Sequence, residues 1–301
     1  MRVLVTGAAG YLGRAVVSAL AAAGHAPIAM VHKPNAEIGG VAEVRVADLL
    51  DPDSLRRAVR GVEAVCHLAG LGNARESIEE PLRYYRVNTA GTVSLLEAMA
   101  GAGVQTLVFA STAAIYATAD GVALGEDAAA APAHPYASSK LAAEWAIDAQ
   151  ARTGAVAATV LRLMNLTGGH DPNPTRLIPR TLAAALGDGV LEINGDGSVC
   201  RDYVHVADAA AACVAALDHP AAPGTSRRYN IGSGRGTSIL DIVAAVERVT
   251  GRPVPVRHRP AAPEAAVLIA DPAQARAELG WTATHSGIDE LVRDTWRARG
   301  C

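Results

Sequence analysis

Apolar residues in this chain fall into short runs divided by turn signals. Runs at 3–5, 28–31, 44–46, 64–68, 106–110 and 158–163 are rich in Val, Ile and Leu and have the length of buried strands. Longer stretches with helical spacing lie between them. A glycine turn after Val5 leads into an Ala- and Val-rich run that ends at Gly24, and Asp51, Pro52, Asp53 and Ser54 form the cap and first turn of a second helix. Further helices are predicted over 78–100 and around Tyr136. Such regular alternation predicts an α/β fold with a doubly wound parallel sheet and helices on both faces.

The rhythm changes twice. Residues 117–135 are poor in helical pattern and rich in Ala, Asp and Pro, which predicts a loop over the sheet edge, in the position of a lid. From Thr167 onward, Gly168, Gly169, Asp171, Pro172, Asn173 and Pro174 form a break. Residues 1–166 are therefore expected as one unit and 167–301 as a smaller mixed α/β lobe. The strand-like Tyr203, Val204, His205 and Val206 and the Ala-rich helix after them, 202–220, are expected to return to the first unit. The segment 238–249 is expected to help complete the second.

Composition narrows the function classes. Half of the 301 residues are hydrophobic but only 4% are aromatic, with one Phe, so the core must be built from aliphatic side chains. A net charge of -3 supplies no basic field for nucleic acid or an anionic membrane, and neither is expected as a partner. Cys66, Cys200, Cys213 and Cys301 include no C-x-x-C pair, and the nine histidines show no ligand spacing, so neither a disulfide framework nor a metal site is expected. Apolar runs fall short of the ~18 residues of a membrane span. With a strand-like start that leaves no room for a signal peptide, these features predict a soluble, cytoplasmic protein.

Candidate chemistry begins at the glycine turn. Gly7, Gly10 and Gly13 have G-x-x-G-x-x-G spacing directly after a strand, where glycine lets a pyrophosphate approach the free N–H groups of a helix N-terminus. After the second strand, the acidic residue that would bind the ribose of NAD is missing. His32 and Lys33 stand there instead, and as cations they suit the extra phosphate of NADP, although a solvated loop would also explain them. Asp48 is either an acceptor for an adenine amino group or a turn or cap carboxylate. Tyr136 and Lys140, four apart, share a helix face, where an ammonium favours the phenolate and lets tyrosine act as a base. Thr112, taken alone, is a strand-end hydroxyl satisfying backbone.

Together these residues resemble the extended short-chain dehydrogenase/reductase superfamily. The likeness rests on the glycine loop, on His67, Leu68, Ala69 and Gly70, on Asn88, Thr89, Ala90, Gly91 and Thr92, on Ser111 and Thr112, and on Tyr136 with Lys140. Within the superfamily the chain is most similar to the nucleotide-sugar epimerases of the UDP-glucose 4-epimerase kind, over nearly its whole length. The resemblance implies a Rossmann domain with a C-terminal substrate lobe, and Thr112, Tyr136 and Lys140 as the catalytic set. It implies cofactor contacts from Gly7, Gly10, Tyr11, Leu12, Gly13, Asp48, Leu49, Leu68, Ala69, Gly70, Asn88, Tyr136, Leu163 and Lys140, the last bonding the nicotinamide ribose. Substrate contacts are implied for Asn165, Arg176 and Arg201, alongside Thr112 and Tyr136. Leu163 and Met164 are equally well read as core, and Arg201 as a surface partner of Asp202.

Two further departures touch the substrate more than the reaction. Gly72 replaces a lysine of the epimerases, and the stretch 259–264 lacks their second phosphate-clamping arginine at its usual place. Ala113 and Ala114 replace the acidic pair of the related 4,6-dehydratases. The resemblance thus implies C4 inversion of a UDP- or dTDP-hexose through a 4-keto intermediate, with NAD as cofactor where the local residues lean to NADP. An NADPH-dependent ketoreductase and a non-catalytic nucleotide-binding protein are the alternatives. Likeness also implies a homodimer.

Overall fold

The computed structural model describes residues 1–34, 38–116, 123–261 and 265–300. Seven parallel strands form the main sheet: β1 (Arg2–Thr6), β2 (Ala26–Val31), β3 (Glu43–Val46), β4 (Ala64–His67), β5 (Thr106–Thr112), β6 (Ala157–Leu163) and β10 (Ser226–Ile231). Their spatial order is β10-β6-β5-β4-β1-β2-β3. The chain therefore runs outward in both directions from β1, and the crevice beyond the carboxyl ends of β1 and β4 is the switch point where such sheets take ligands. In register, Thr6 stands between Met30 and His67, and Thr112 beside Leu163. The residues singled out by motif are thus strand-end neighbours.

Strand alternation sorts the core into two layers. Val3 and Val5 face a cluster with Val16, Val17, Leu20, Cys66, Val108 and Cys213, beneath α1 (Tyr11–Ala22) and a later helix, α8 (Val206–Asp218). Leu4 faces the other way, with Ile28, Val65, Leu95, Met99, Phe109 and Ile147, beneath α2 (Pro52–Ala58), α5 (Gly91–Ala102) and α6 (Pro135–Arg152). Asp51 caps α2 by accepting from the Asp53 and Ser54 N–H groups, at 3.0 and 3.3 Å.

The helix expected over 78–100 is broken. It is replaced by α3 (Ala74–Glu79), α4 (Pro81–Tyr84), a π-helical turn Tyr85–Ala90 and then α5. Pro81 has no N–H to continue α3 and instead opens α4. The π turn holds Asn88, and wide turns of this kind re-aim side chains at functional sites.

The rest of the chain forms a second cluster. There α7 (Leu177–Ala185), α9 (Ile239–Thr250) and α11 (Ile288–Arg297) pack Ile178, Leu182, Ile193, Ile242, Val246 and Leu291 together. A small sheet joins β7 (Asn165–Thr167), β9 (Cys200–His205), β11 (Gly236–Ser238) and β13 (Val267–Leu268), while β8 (Leu191–Asn194) pairs with β12 (Val256–Arg259). Helix α10 (Ala273–Leu279) instead lies near β10 and adds Ala275 and Leu279 to the core layer of Val3 and Val5. The chain crosses between the two regions more than once: α8 packs on α1, and β10, for which the apolar pattern raised no expectation, closes the edge of the main sheet. The lid expectation over 117–135 and the 259–264 stretch fall partly outside the described residues. Of the lid stretch, Leu124 bridges to Ala270 and Ala130 to Tyr116. No helix among the described residues is long and apolar enough to cross a membrane.

Candidate active site

The glycine loop is built for close approach. Gly7 has φ +70°, a conformation other residues resist, and a Cβ there would stand 2.9 Å from the Ala69 backbone. At Gly13 a Cβ would meet the Gly7 carbonyl at 2.1 Å. The loop delivers the chain into α1 with Gly10 at the N-cap and no side chain capping the helix. The first N–H groups of α1, from Tyr11, Leu12 and Gly13, therefore lack a side-chain acceptor, and a pyrophosphate is the kind of group that satisfies them. These features fit a dinucleotide.

The floor beside the loop is a hydrogen-bonded unit. Thr6 Oγ1 accepts from the N–H groups of Leu68 and Ala69, both at 3.1 Å, and lies 2.8 Å from His67 Nδ1. His67 Nε2 lies 3.0 Å from Thr92 Oγ1, which itself donates to the Asn88 carbonyl at 2.6 Å. Thr92 must accept from Nε2–H, and Thr6 must donate to Nδ1, so the ring is held as the neutral Nε2–H tautomer. Burial, helped by the Lys140 charge, pushes His67 down to about 3.

Asn88 Oδ1 accepts from Leu71 N at 2.8 Å, and its Nδ2 donates to Leu71 O and to Ser139 Oγ at 3.1 and 3.0 Å. It thereby ties the loop after β4 to α6. A Cβ on Gly70 would meet Asn88 Oδ1 at 2.8 Å and Lys140 Nζ at 3.5 Å.

Tyr136 and Thr112 meet beside this floor, with Lys140 one turn further along α6. Tyr136 is positioned by the first turn of α6, with its ring stacked on His134 at 5.8 Å and edge-on to Tyr84 at 6.4 Å. Lys140 is buried, donates from Nζ to the Ala110 carbonyl at 2.8 Å and lies 4.7 Å over the Phe109 ring. Burial lowers it to about 8, with Glu144 pulling the other way. Thr112 is buried at the end of β5, where its Oγ1 accepts from Ala114 N at 3.1 Å.

One electrostatic expectation is corrected. Burial raises the Tyr136 phenol above its ordinary value, and the groups that pull it down are the Thr112 hydroxyl and the Arg176 charge rather than Lys140. The Lys140 ammonium is engaged by the Ala110 carbonyl and the Phe109 face, so spacing on a helix did not decide where its charge is felt.

The remaining candidates are more dispersed. His32 and Lys33 are exposed, with His32 Nδ1 at 3.6 Å from Asp48 Oδ2. Asp48 Oδ1 accepts from Leu50 N at 2.9 Å, which is turn chemistry, and the helix cap is Asp51. Leu49, Leu163 and Met164 are buried with the core. Asn165 is exposed at the start of β7, in register with Tyr203.

Arg176 holds Asp171 at 3.1 Å and lies 5.2 Å over the Tyr11 ring, whose hydroxyl donates to the Gly168 carbonyl. Arg176 thus carries a cation from the second lobe to the glycine loop and Tyr136. Arg201 donates to the carbonyls of Cys200 and Ala265 at 2.9 and 2.8 Å. The alternative partner Asp202 is buried and accepts from the N–H groups of Ser233, Gly234 and Ala270, a fold role.

Glu144, fully buried one turn beyond Lys140, was not singled out by motif, yet it holds Arg162 at 2.8 Å directly behind the site. The available signal was its position four residues after Lys140, the spacing that had singled out Lys140 itself.

Comparison with known proteins agrees with this geometry. The family model for the NAD dependent epimerase/dehydratase family matches residues 3–232. The chain is 36% identical to UDP-glucose 4-epimerase of Streptomyces lividans, covering 97% of this chain and 94% of that protein. It is 38% identical to that of Azospirillum brasilense, covering 97% and 90%. Among solved structures it superposes on UDP-glucose 4-epimerase from Brucella ovis in complex with NAD, with a TM-score of 0.91, 35% identity and coverage of 99% and 98%. The Stenotrophomonas maltophila enzyme with bound NAD and formylated UDP-arabinopyranose gives a TM-score of 0.91 at 33% identity, covering 100% and 98%. A strand-end floor, an uncapped glycine-rich helix start and a Thr, Tyr and Lys set, on a chain so matched, make this protein a member of the NAD dependent epimerase/dehydratase family.

Proposed function

We propose that this protein inverts C4 of a UDP-hexose by transient oxidation, with NAD as its resident cofactor. The observation that carries the reading is the pairing of Thr112 with Tyr136, one helical turn from buried Lys140, on a chain whose glycine loop opens an uncapped helix. Residues 1–166, with 202–220 returning to them, are assigned to the cofactor and the rest of 167–301 chiefly to the substrate end. The N–H groups of Tyr11, Leu12 and Gly13 would hold the pyrophosphate of NAD, and Lys140 its nicotinamide ribose, near Gly70. Bound NAD supplies the acceptor and then the donor of hydride at the sugar carbon.

The chain's own residues handle the proton and the placement. Tyr136, as the phenolate, takes the proton of the C4 hydroxyl, and as the neutral phenol it returns it after the 4-keto sugar has turned over. Thr112 donates to the same oxygen and stabilises the charge that develops there. The Thr112 hydroxyl and the Arg176 charge favour the phenolate, the form Tyr136 must have before the first proton transfer and regains after the second. Asn165, Arg176 and Arg201 are assigned to the substrate, with the diphosphate fixed and the sugar left room to rotate.

His32 and Lys33 support a second reading, an NADPH-dependent reduction of a 4-keto sugar or other small carbonyl compound, because both are exposed where a 2′-phosphate would be met. Incubation of purified protein with UDP-glucose or UDP-galactose, without added cofactor, tests the two. The epimerase reading expects the C4 epimer and NAD released on denaturation. No epimer, together with turnover of a keto substrate only when NADPH is added, would establish the reductase instead. The same incubation with dTDP-hexoses sets the nucleotide preference.

We also infer a homodimer. Ile78 (68% exposed), Leu82 (74%) and Trp145 (62%) are large apolar side chains left open on α3, α4 and α6, helices that pack on one another. Free thiols at Cys66, Cys200 and Cys213 suit the cytoplasm, where we place the enzyme.

A further inference from the structure

Behind Lys140 lies a buried charge cluster to which the reaction assigns no part. Tyr136, Lys140, Glu144 and Asp148 follow one another at four-residue steps along α6 and so share a face. Glu144 accepts from the Ser111 hydroxyl and from Arg162 at 2.8 Å, and Arg228 of β10 stands 3.5 Å from it. Arg228 also pairs with Asp148. Arg162 continues to the Tyr116 hydroxyl at 2.9 Å and to the carbonyl of Glu126, a residue of the 117–135 stretch, at 2.7 Å.

Two adjacent residues of β5 are thereby clamped to α6 from both sides. The Ala110 carbonyl takes the Lys140 ammonium, and the Ser111 hydroxyl gives to Glu144. The next residue is Thr112. A shift of Glu144 would therefore displace the strand end on which the reacting hydroxyl stands and the carbonyl that anchors the ammonium.

We propose that Glu144 is a positioning residue, which holds the Lys140 ammonium and the Thr112 hydroxyl in place through Ser111 and balances the buried charges of Arg162 and Arg228. The inference rests on the epimerase reading for its kinetic consequence but not for its direct test. A carboxylate buried only for stability has no need to contact the strand end carrying the catalytic hydroxyl. Glu144 instead joins that strand end to the helix of the base and to two strands behind it.

The charged and titratable groups around Lys140 set the sign of its response. They are His67 from β4, Tyr136 and Glu144 from α6, and, beyond Glu144, Arg162 from β6 and Arg228 from β10; β5 presents the Phe109 ring and the Ala110 carbonyl. Burial holds His67 neutral and works against a charge on Tyr136, so Glu144 is the carboxylate beside the ammonium among these groups. Removing it leaves the Arg162 guanidinium without its carboxylate, takes from Arg228 one of its two, and lowers the pH at which Lys140 loses its proton. Removing Arg228 does the opposite.

The chain contains only two lysines, Lys33 and Lys140, so lysine labelled with carbon-13 at Cε gives two signals, with exposed Lys33 as internal reference. In Glu144→Gln the Lys140 titration midpoint should fall by about one pH unit, and in Arg228→Gln it should rise by about half a unit. In Glu144→Gln, kcat for epimerisation should drop about tenfold, with KM unchanged, and the alkaline limb of the rate profile should move with the midpoint. A midpoint that stays put in both variants, with activity falling only as the melting temperature falls, overturns the proposal. Arg228→Gln keeps the Glu144 and Arg162 pair and carries the test alone if Glu144→Gln does not fold. A wild type that epimerises nothing defeats the reaction reading and leaves the titration decisive for Glu144.

Discussion

His67 should make this protein lose stability in mild acid, by an amount the structure allows one to work out. Its neutral ring is fixed between two threonines, and its folded value is about 3 against an ordinary 6.5. Because the folded value is lowered, the unfolded chain binds the proton first as pH falls. The contribution is therefore complete above pH 6.5 and is lost on the way down to about 3. At about 1.4 kcal/mol per pH unit, roughly 3 kcal/mol is gone by about pH 4.5 and about 5 kcal/mol below pH 3.

Glutamine offers one acceptor and one donor without a proton to take up, so His67→Gln should cost about 1 kcal/mol at neutral pH. It should then lose less than the wild type in acid, and below about pH 5 it should be the more stable protein. Urea unfolding at a series of pH values measures the difference, since other titrating groups are common to both proteins and cancel. Parallel stability curves for the two proteins between pH 7 and about pH 4 would refute the assignment of a neutral, trapped imidazole.

Other outcomes follow from the site. Tyr136→Phe keeps the ring packing against His134 and Tyr84 but removes the proton carrier, so kcat should fall about 10²- to 10⁴-fold with the melting temperature nearly unchanged, as steady-state kinetics and calorimetry would show. Gly13→Ala drives a Cβ into the Gly7 carbonyl, and a backbone strain of about 3 kcal/mol would weaken NAD binding about a hundredfold, read as nucleotide missing from the purified protein. Leu82→Glu with Trp145→Glu should yield a monomer in sedimentation velocity, at unchanged secondary structure, if these exposed side chains face a second copy.

Much of this protein is local in origin and therefore legible along the chain. Buried parallel strands read as short aliphatic runs because both their faces are covered. Gly7 and Gly13 read as a dinucleotide turn because no other residue fits the positive φ and the close carbonyl. Tyr136 and Lys140 read as a pair because helix geometry alone puts them on one face. The cap at Asp51 and the strand ends beneath His67 and Thr112 were accessible for the same reason.

What stayed hidden depends on contacts between residues distant in sequence. No pattern near Ser226 marks it as the start of the sheet's edge strand, since that depends on β6 being there to pair with it. The π turn around Asn88 is fixed by the fit of that segment against α6 and the loop after β4, whereas the break at Pro81 follows from the proline itself. The Lys140 ammonium was drawn to the Ala110 carbonyl, so burial and Arg176, which comes from the other lobe, set the Tyr136 phenol instead. The partnership of Glu144 with Ser111, Arg162 and Arg228 joins three strands to one helix. Spacing along a chain fixes the face a side chain occupies, but the charges and dipoles that meet it there are fixed only when the sheet has assembled.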